Sequence, residues 1–148
     1  MIDLGVQPFL LPPTLSIAIA QRLVRKLCSH CKKKIKPDKE TKKLILKEIE
    51  NFPPIIKKSF KSPETLYIHT PVGCKRCNDV GYAGRIGIFE ILEMTTQLSK
   101  LILKKPSEVE IQEEARCQGM VTMKQDGISK VLEGFTSFEE ILRVAEEK

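Results

Sequence analysis

A chain of 148 residues, 41% apolar and 30% charged with a net charge of +6, can bury one ordinary core or two small ones. No apolar run approaches the roughly 20 residues that cross a bilayer, and with no Trp, 2 Tyr and 6 Phe the chain is poorly supplied for stacking on bases. The opening MIDLGVQPFLLPPT lacks the basic flank and small-residue cleavage site of a signal peptide, so mature, cytosolic sequence with reduced thiols is expected.

The charge is uneven. Residues 1–70 carry 14 Lys/Arg against 6 Asp/Glu, and residues 71–148 carry 11 against 13. The excess peaks between Lys32 and Lys47, where 8 lysines meet only Asp38 and Glu40. Such a run is a solvated face, or a surface for acidic lipid, nucleic acid or an acidic partner.

In chain order, Thr14 can cap a helix to about Lys26. Leu15, Ile19, Leu23 and Leu27 recur every four residues, Ala18, Ala20 and Val24 widen the stripe, and Arg22, Arg25 and Lys26 would complement the helix dipole. The first cysteine pair stops this element. A short helix is expected from Asp38 with Leu44, Ile45 and Ile49 inward, then a proline-rich loop over NFPPIIKKSFKSPE and a strand at TLYIHT. The second cysteine pair leads into GYAGRIGIFEILEM, whose β-rich run contains a strand ending at Glu90. Helices follow: one opened by Thr95 or Thr96, one with a Ser107–Glu110 capping box closed by Gly119, one ending at Gly134, and one with a Ser137–Glu140 capping box. In the last, Phe138, Ile141, Leu142 and Ala145 form one apolar face. The fold class expected is α+β.

Four cysteines carry the strongest chemical signal. Cys28, Cys31, Cys74 and Cys77 form two C-x-x-C turns separated by 42 residues, and two such turns supply the tetrahedral sulfur set that Zn²⁺ prefers. Four ligands leave no open position, which marks a structural ion whose binding supplies folding free energy. Redox dithiols and an iron–sulfur cluster are the competing readings, and His30 could replace one sulfur but reads as a bystander. Cys117 reads as a small buried apolar residue. No two of the 8 glycines are spaced as a phosphate-binding loop requires, and neither His30 nor His69 has a recognisable catalytic partner. The residues alone show no active site.

Taken together, GVQPFLL, IAQRLVRKLCSHC, GCKRCNDVGYAGRIGIFEIL and QGMVTMKQDGISKVLEGFTSFEEILRV resemble the C-terminal end of the ATPases that power type II secretion and type IV pilus assembly. The resemblance runs from about Leu4 to Val144, with a divergent stretch at residues 32–70. It implies three parts: the final segment of a RecA-like core (1–26, one long helix), a zinc-binding tetracysteine lobe with a lysine-rich insert (27–79), and a C-terminal helical lobe (80–148). It also implies a cytosolic ring of six subunits, peripheral to the inner membrane through a platform protein, with ATP and Mg²⁺ bound by motifs absent from this chain. The chain would then be a piece of a longer protein, or a shortened product needing a partner to bind ATP, and inactive alone.

Arg22, Arg25 and Arg85 lie in the matching stretches and suit bidentate phosphate or carboxylate contact, near nucleotide or between lobes. Arg85 could pair with Glu90. Lys32, Lys33, Lys34 and Lys36 could meet anionic phospholipid or the platform protein. The rival reading is a zinc-ribbon nucleic-acid binder, encouraged by the basic insert and opposed by the scarcity of aromatics.

Overall fold

The computed structural model describes residues 5–57 and 66–145. Residues 1–4, the 58–65 part of the proline-rich connection, including the first residue of the TLYIHT stretch, and residues 146–148 lie outside them. The described chain mixes helices with two small antiparallel sheets, an α+β fold.

The segment expected to be a long helix is a strand. After a single 3-10 turn and α1 (Leu11–Thr14), β1 runs from Ile17 to Leu27 and pairs antiparallel with β4 (Tyr82–Glu93), so β4 also continues past Glu90. A recurrence of four is also twice two, so Ile19 and Leu23 share one face of a strand as well as they share one face of a helix. The residues assigned to the widened stripe, Ala18, Ala20 and Val24, occupy the opposite face. Val24 is buried, whereas Ile19 and Leu23 are 58% and 50% exposed. Leu27 escapes the alternation because the pairing register shifts between Arg25 and Leu27, which turns it into the core. β-branched residues and a β-rich partner decide the outcome, because pairing satisfies the facing backbone groups of both strands along their length.

Short strands β2 (Lys33–Ile35) and β3 (Ile68–Thr70) form the second sheet. Between them, α2 (Lys39–Glu50) starts where Asp38 accepts hydrogen bonds from the Glu40 and Thr41 amides, as its sequence predicts. Ile45 and Ile49 point inward, but Leu44 is 44% exposed, since it lies about 100° round the helix from Ile45. Part of the expected loop forms one turn of helix, α3 (Pro54–Lys57).

The four later helices stand where their caps place them. These are α4 (Thr96–Ile102, capped by Thr95), α5 (Glu108–Cys117, boxed by Ser107 and Glu110), α6 (Met123–Leu132) and α7 (Phe138–Ala145). A further capping box, Thr122 with Gln125, opens α6. Cys117 ends α5 exposed rather than buried, because the inward side of that helix is set by Ala115 two residues earlier.

One apolar cluster joins Val24 of β1, Ile45 and Ile49 of α2, Ile88 of β4, Ile128 of α6 and Ile141 of α7. A smaller one joins Leu11 to Leu98 and Ile102. Gly127 allows α6 and α7 to close on each other; a Cβ there would stand 2.8 Å from Ile141 Cδ1.

Candidate metal centre

The bulge at the end of β1 delivers Cys28 and Cys31 beside the turn that precedes β4, where Cys74 and Cys77 lie. Their four sulfurs lie within 4.8 Å of one another. The measured separations are 3.9 Å for Cys28–Cys74, 3.8 Å for Cys31–Cys77 and 3.7 Å for Cys74–Cys77. Four thiolates at tetrahedral angles, each about 2.3 Å from Zn²⁺, stand about 3.8 Å apart. The fit is therefore close, and all four cysteines are free thiols at distances far beyond a sulfur–sulfur bond. The four sulfurs lie close enough together to hold a metal ion, and a four-thiolate set is one that suits zinc.

The backbone prepares this site. The amides of Cys74 and Gly81 each donate to Cys77 Sγ at 3.2 Å. Gly81 stands at φ +79°, and a Cβ there would come within 2.4 Å of Pro71 Cβ, so only glycine brings that amide to the sulfur. Burial by itself would raise the Cys77 thiol, but the Gly81 and Cys74 amides and the neighbouring thiols bring it down to about 7. Cys31 goes the other way: burial, then its three thiol neighbours, outweigh a Gly73 hydrogen bond and push it up to about 11. Without an ion the pocket holds protons that binding must displace.

His30 is not among the sulfurs. It is exposed and meets Arg76 Nη1 at 2.8–2.9 Å. Each sits third in its own C-x-x-C turn.

The arginines separate. Arg25 is tied to α7: its backbone N–H donates to Glu140 Oε1 at 2.9 Å, and its Nε and Nη2 donate to Oε2 at 3.0 and 2.7 Å. Arg143 donates to the same carboxylate, and Arg25 also lies 4.2 Å over the Tyr82 ring. Burial would raise the Glu140 carboxyl, yet the Arg143 and Arg25 contacts hold it down at about 2. Arg22 donates to the Val144 carbonyl. Arg85 is exposed and lies opposite Arg25 in the ribbon; it does not pair with Glu90, whose carboxylate accepts from the Met123 amide. Glu140 was legible only as half of a capping box. Its amide does donate to Ser137 Oγ at 3.3 Å, but its carboxylate serves Arg25 instead of the Ser137 backbone.

The lysines separate too. Lys32 Nζ donates to the Gly134 carbonyl at 2.8 Å, which commits it to the α6–α7 turn. Lys33, Lys34 and Lys36 are exposed, with Lys34 4.5 Å over the Tyr67 ring.

A sequence model of type II/IV secretion system proteins matches residues 1–143. The chain belongs to that family. It is 41% identical over 142 residues to the type IV pilus assembly ATPase TfpB of Acinetobacter baylyi, covering 96% of this chain and 22% of that protein. It is 38% identical to the type IV pilus assembly ATPase PilB of Pseudomonas aeruginosa, covering 99% and 24%. Against the type II secretion system ATPase E of Vibrio cholerae it is 37% identical, covering 98% and 26%. The chain thus spans about a quarter of the length of these type II/IV secretion system relatives. Among the described residues no helix is long and apolar enough to cross a membrane.

Proposed function

We propose that this chain is the zinc-braced coupling portion of a type II secretion or type IV pilus assembly ATPase, carrying no nucleotide-binding motif of its own. The observation that supports it most is where the sulfurs sit. Cys28 and Cys31 follow β1 and Cys74 and Cys77 precede β4, so the ion would clamp the two strands of one ribbon at their shared end. When bound, Zn²⁺ supplies four strong bonds and no open position for chemistry. From there, Arg25–Glu140 and Lys32–Gly134 carry the ribbon's position to α7 and to the turn before it. A stiff connection of this kind transmits rotation instead of absorbing it.

The open face of the ribbon fits the same reading. Ile17, Ile19, Leu23, Phe89 and Ile91 are exposed large apolar groups, and in register they share one side. In the full ATPase this face belongs against the RecA-like core, with six subunits in a cytosolic ring docked on an inner-membrane platform protein. Arg85 and the outer edge of Arg25 then lie at the boundary with that core, within reach of nucleotide or a neighbouring lobe, whereas Arg22 lies on the opposite face and is tied to Val144. Lys33, Lys34 and Lys36 are the cations free to meet anionic lipid or the platform, each worth about 1 kcal/mol near an anionic surface.

The test is made in the full-length ATPase of the native host. Cys74→Ser with Cys77→Ser should leave nucleotide binding intact and abolish secretion or piliation. Normal transport by a metal-free enzyme would overturn the coupling role. The isolated chain should hydrolyse no nucleotide above background, and Lys33, Lys34 and Lys36 changed to Gln should weaken binding to anionic vesicles.

A further inference from the structure

The tie between Lys32 and the α6–α7 turn passes beside a histidine that nothing above uses. His69 lies on β3, opposite Lys34 in the β2–β3 pairing. Its Nδ1 is buried and, among the described residues, has no hydrogen-bond partner. The ring presses on Gly134, where a Cβ would stand 2.7 Å from Nδ1, and Gly134 itself sits at φ +75°. The carbonyl of that same glycine receives Lys32 Nζ at 2.8 Å. The turn so held also accepts the Leu27 amide at the Phe135 carbonyl, 2.8 Å away, one residue before Cys28.

We propose that His69 is a proton-operated wedge between the metal-bearing hairpin and the α6–α7 turn: neutral, it lets Lys32 hold Gly134; protonated, it drives the two apart. The charges acting on the ring are both cationic, Lys32 and Lys34 from the β2 side. From the α6 side it meets the Gly134 backbone, and Glu133 there is exposed to solvent. His69 is half-buried, but a proton on Nδ1 would place a third positive charge at a buried atom that has no hydrogen-bond partner among the described residues. Burial first, then the two lysines, lower the His69 affinity for a proton. The sign follows: the latch is fully closed above the ordinary histidine range and weakens as pH falls below it. Acid would therefore loosen the tie between the metal lobe and the α6–α7 turn, an effect separable from loss of the metal by following both.

The experiment uses the zinc-loaded full chain, with the histidine ring nitrogens and backbone amides followed by NMR from about pH 8 to about pH 5.5. A chelator dye records metal release in the same samples. Protection of the Leu27 and Phe135 amides should fall along the His69 titration, by about tenfold for each unit its midpoint lies below the ordinary value. His69→Gln should keep that protection flat across the range, while His30→Gln should leave the wild-type profile unchanged. Lys32→Met should lower protection at every pH and remove its pH dependence. The proposal fails if His69→Gln retains the wild-type profile, or if His69 titrates while both amides stay protected. It fails equally if protection is lost only in step with the metal. Should His69→Gln not fold, the wild-type ring titration against the two amides still decides.

Discussion

Glu140 is 1% exposed, yet it is fully ionised at neutral pH because both of its oxygens are taken by guanidinium and amide donors. Its two arginine partners keep part of their side chains in water, 44% for Arg25 and 58% for Arg143, so they can rehydrate if the carboxylate is removed. Glu140→Gln is therefore expected to cost about 1–3 kcal/mol, short of the full penalty for an orphaned buried charge. Urea titration at neutral pH measures it. Since its folded carboxyl is held at about 2, below the ordinary 4.5, the stability it provides is complete above that ordinary value and is lost as pH falls toward 2. The variant should lack that acid limb. Arg25→Lys keeps the charge but not the fork, and should be nearly as damaging. None of this could be read from the chain, since Arg25 and Glu140 lie 115 residues apart.

The ribbon shows how an element can be misjudged when its pattern satisfies two periods. From Leu15 to Leu27 the spacing of four fits a helix face and a strand face alike, and only the distant β-rich run at Tyr82–Glu93 breaks the tie. Position by position the two structures differ sharply. Leu23→Lys should be nearly silent in this chain, within about 0.5 kcal/mol, because the side chain already reaches solvent. Val24→Ser should cost about 2–4 kcal/mol, because a hydroxyl would enter the sealed core beside Ile88. Thermal unfolding of the pair distinguishes strand from helix. The later helices posed no such difficulty: Thr95, Ser107 and Ser137 cap them through local bonds that sequence spacing alone dictates.

For the molecule as a whole, the centre at Cys28, Cys31, Cys74 and Cys77 lies between the β1–β4 ribbon and the β2–β3 pair, where an ion would tie together the two segments that both sheets join. One Zn²⁺ per chain is expected by elemental analysis. Chelation should lower the unfolding midpoint and raise amide exchange first around Gly73–Gly81, leaving α4 and α5 comparatively protected. With Cys31 at about 11 in the metal-free pocket, binding must release protons, so zinc affinity should fall steadily as pH is lowered from neutrality; competition with a dye across pH reads it. Cys77→Ser should be the more damaging single change at the centre, because it removes the sulfur that the Gly81 and Cys74 amides serve.

What the sequence by itself determined was local or stoichiometric. Two C-x-x-C turns mark four candidate ligands for one metal ion, and a capping residue stands three positions from the amide it serves. The strand identity of β1, the exposure of Leu44 and Cys117, and the partners of Arg25 and Lys32 were decided only in three dimensions. Each depends on which distant surface arrives to bury a side chain or accept a proton, and that is set by the shared core of ribbon and helices, not by neighbours along the chain.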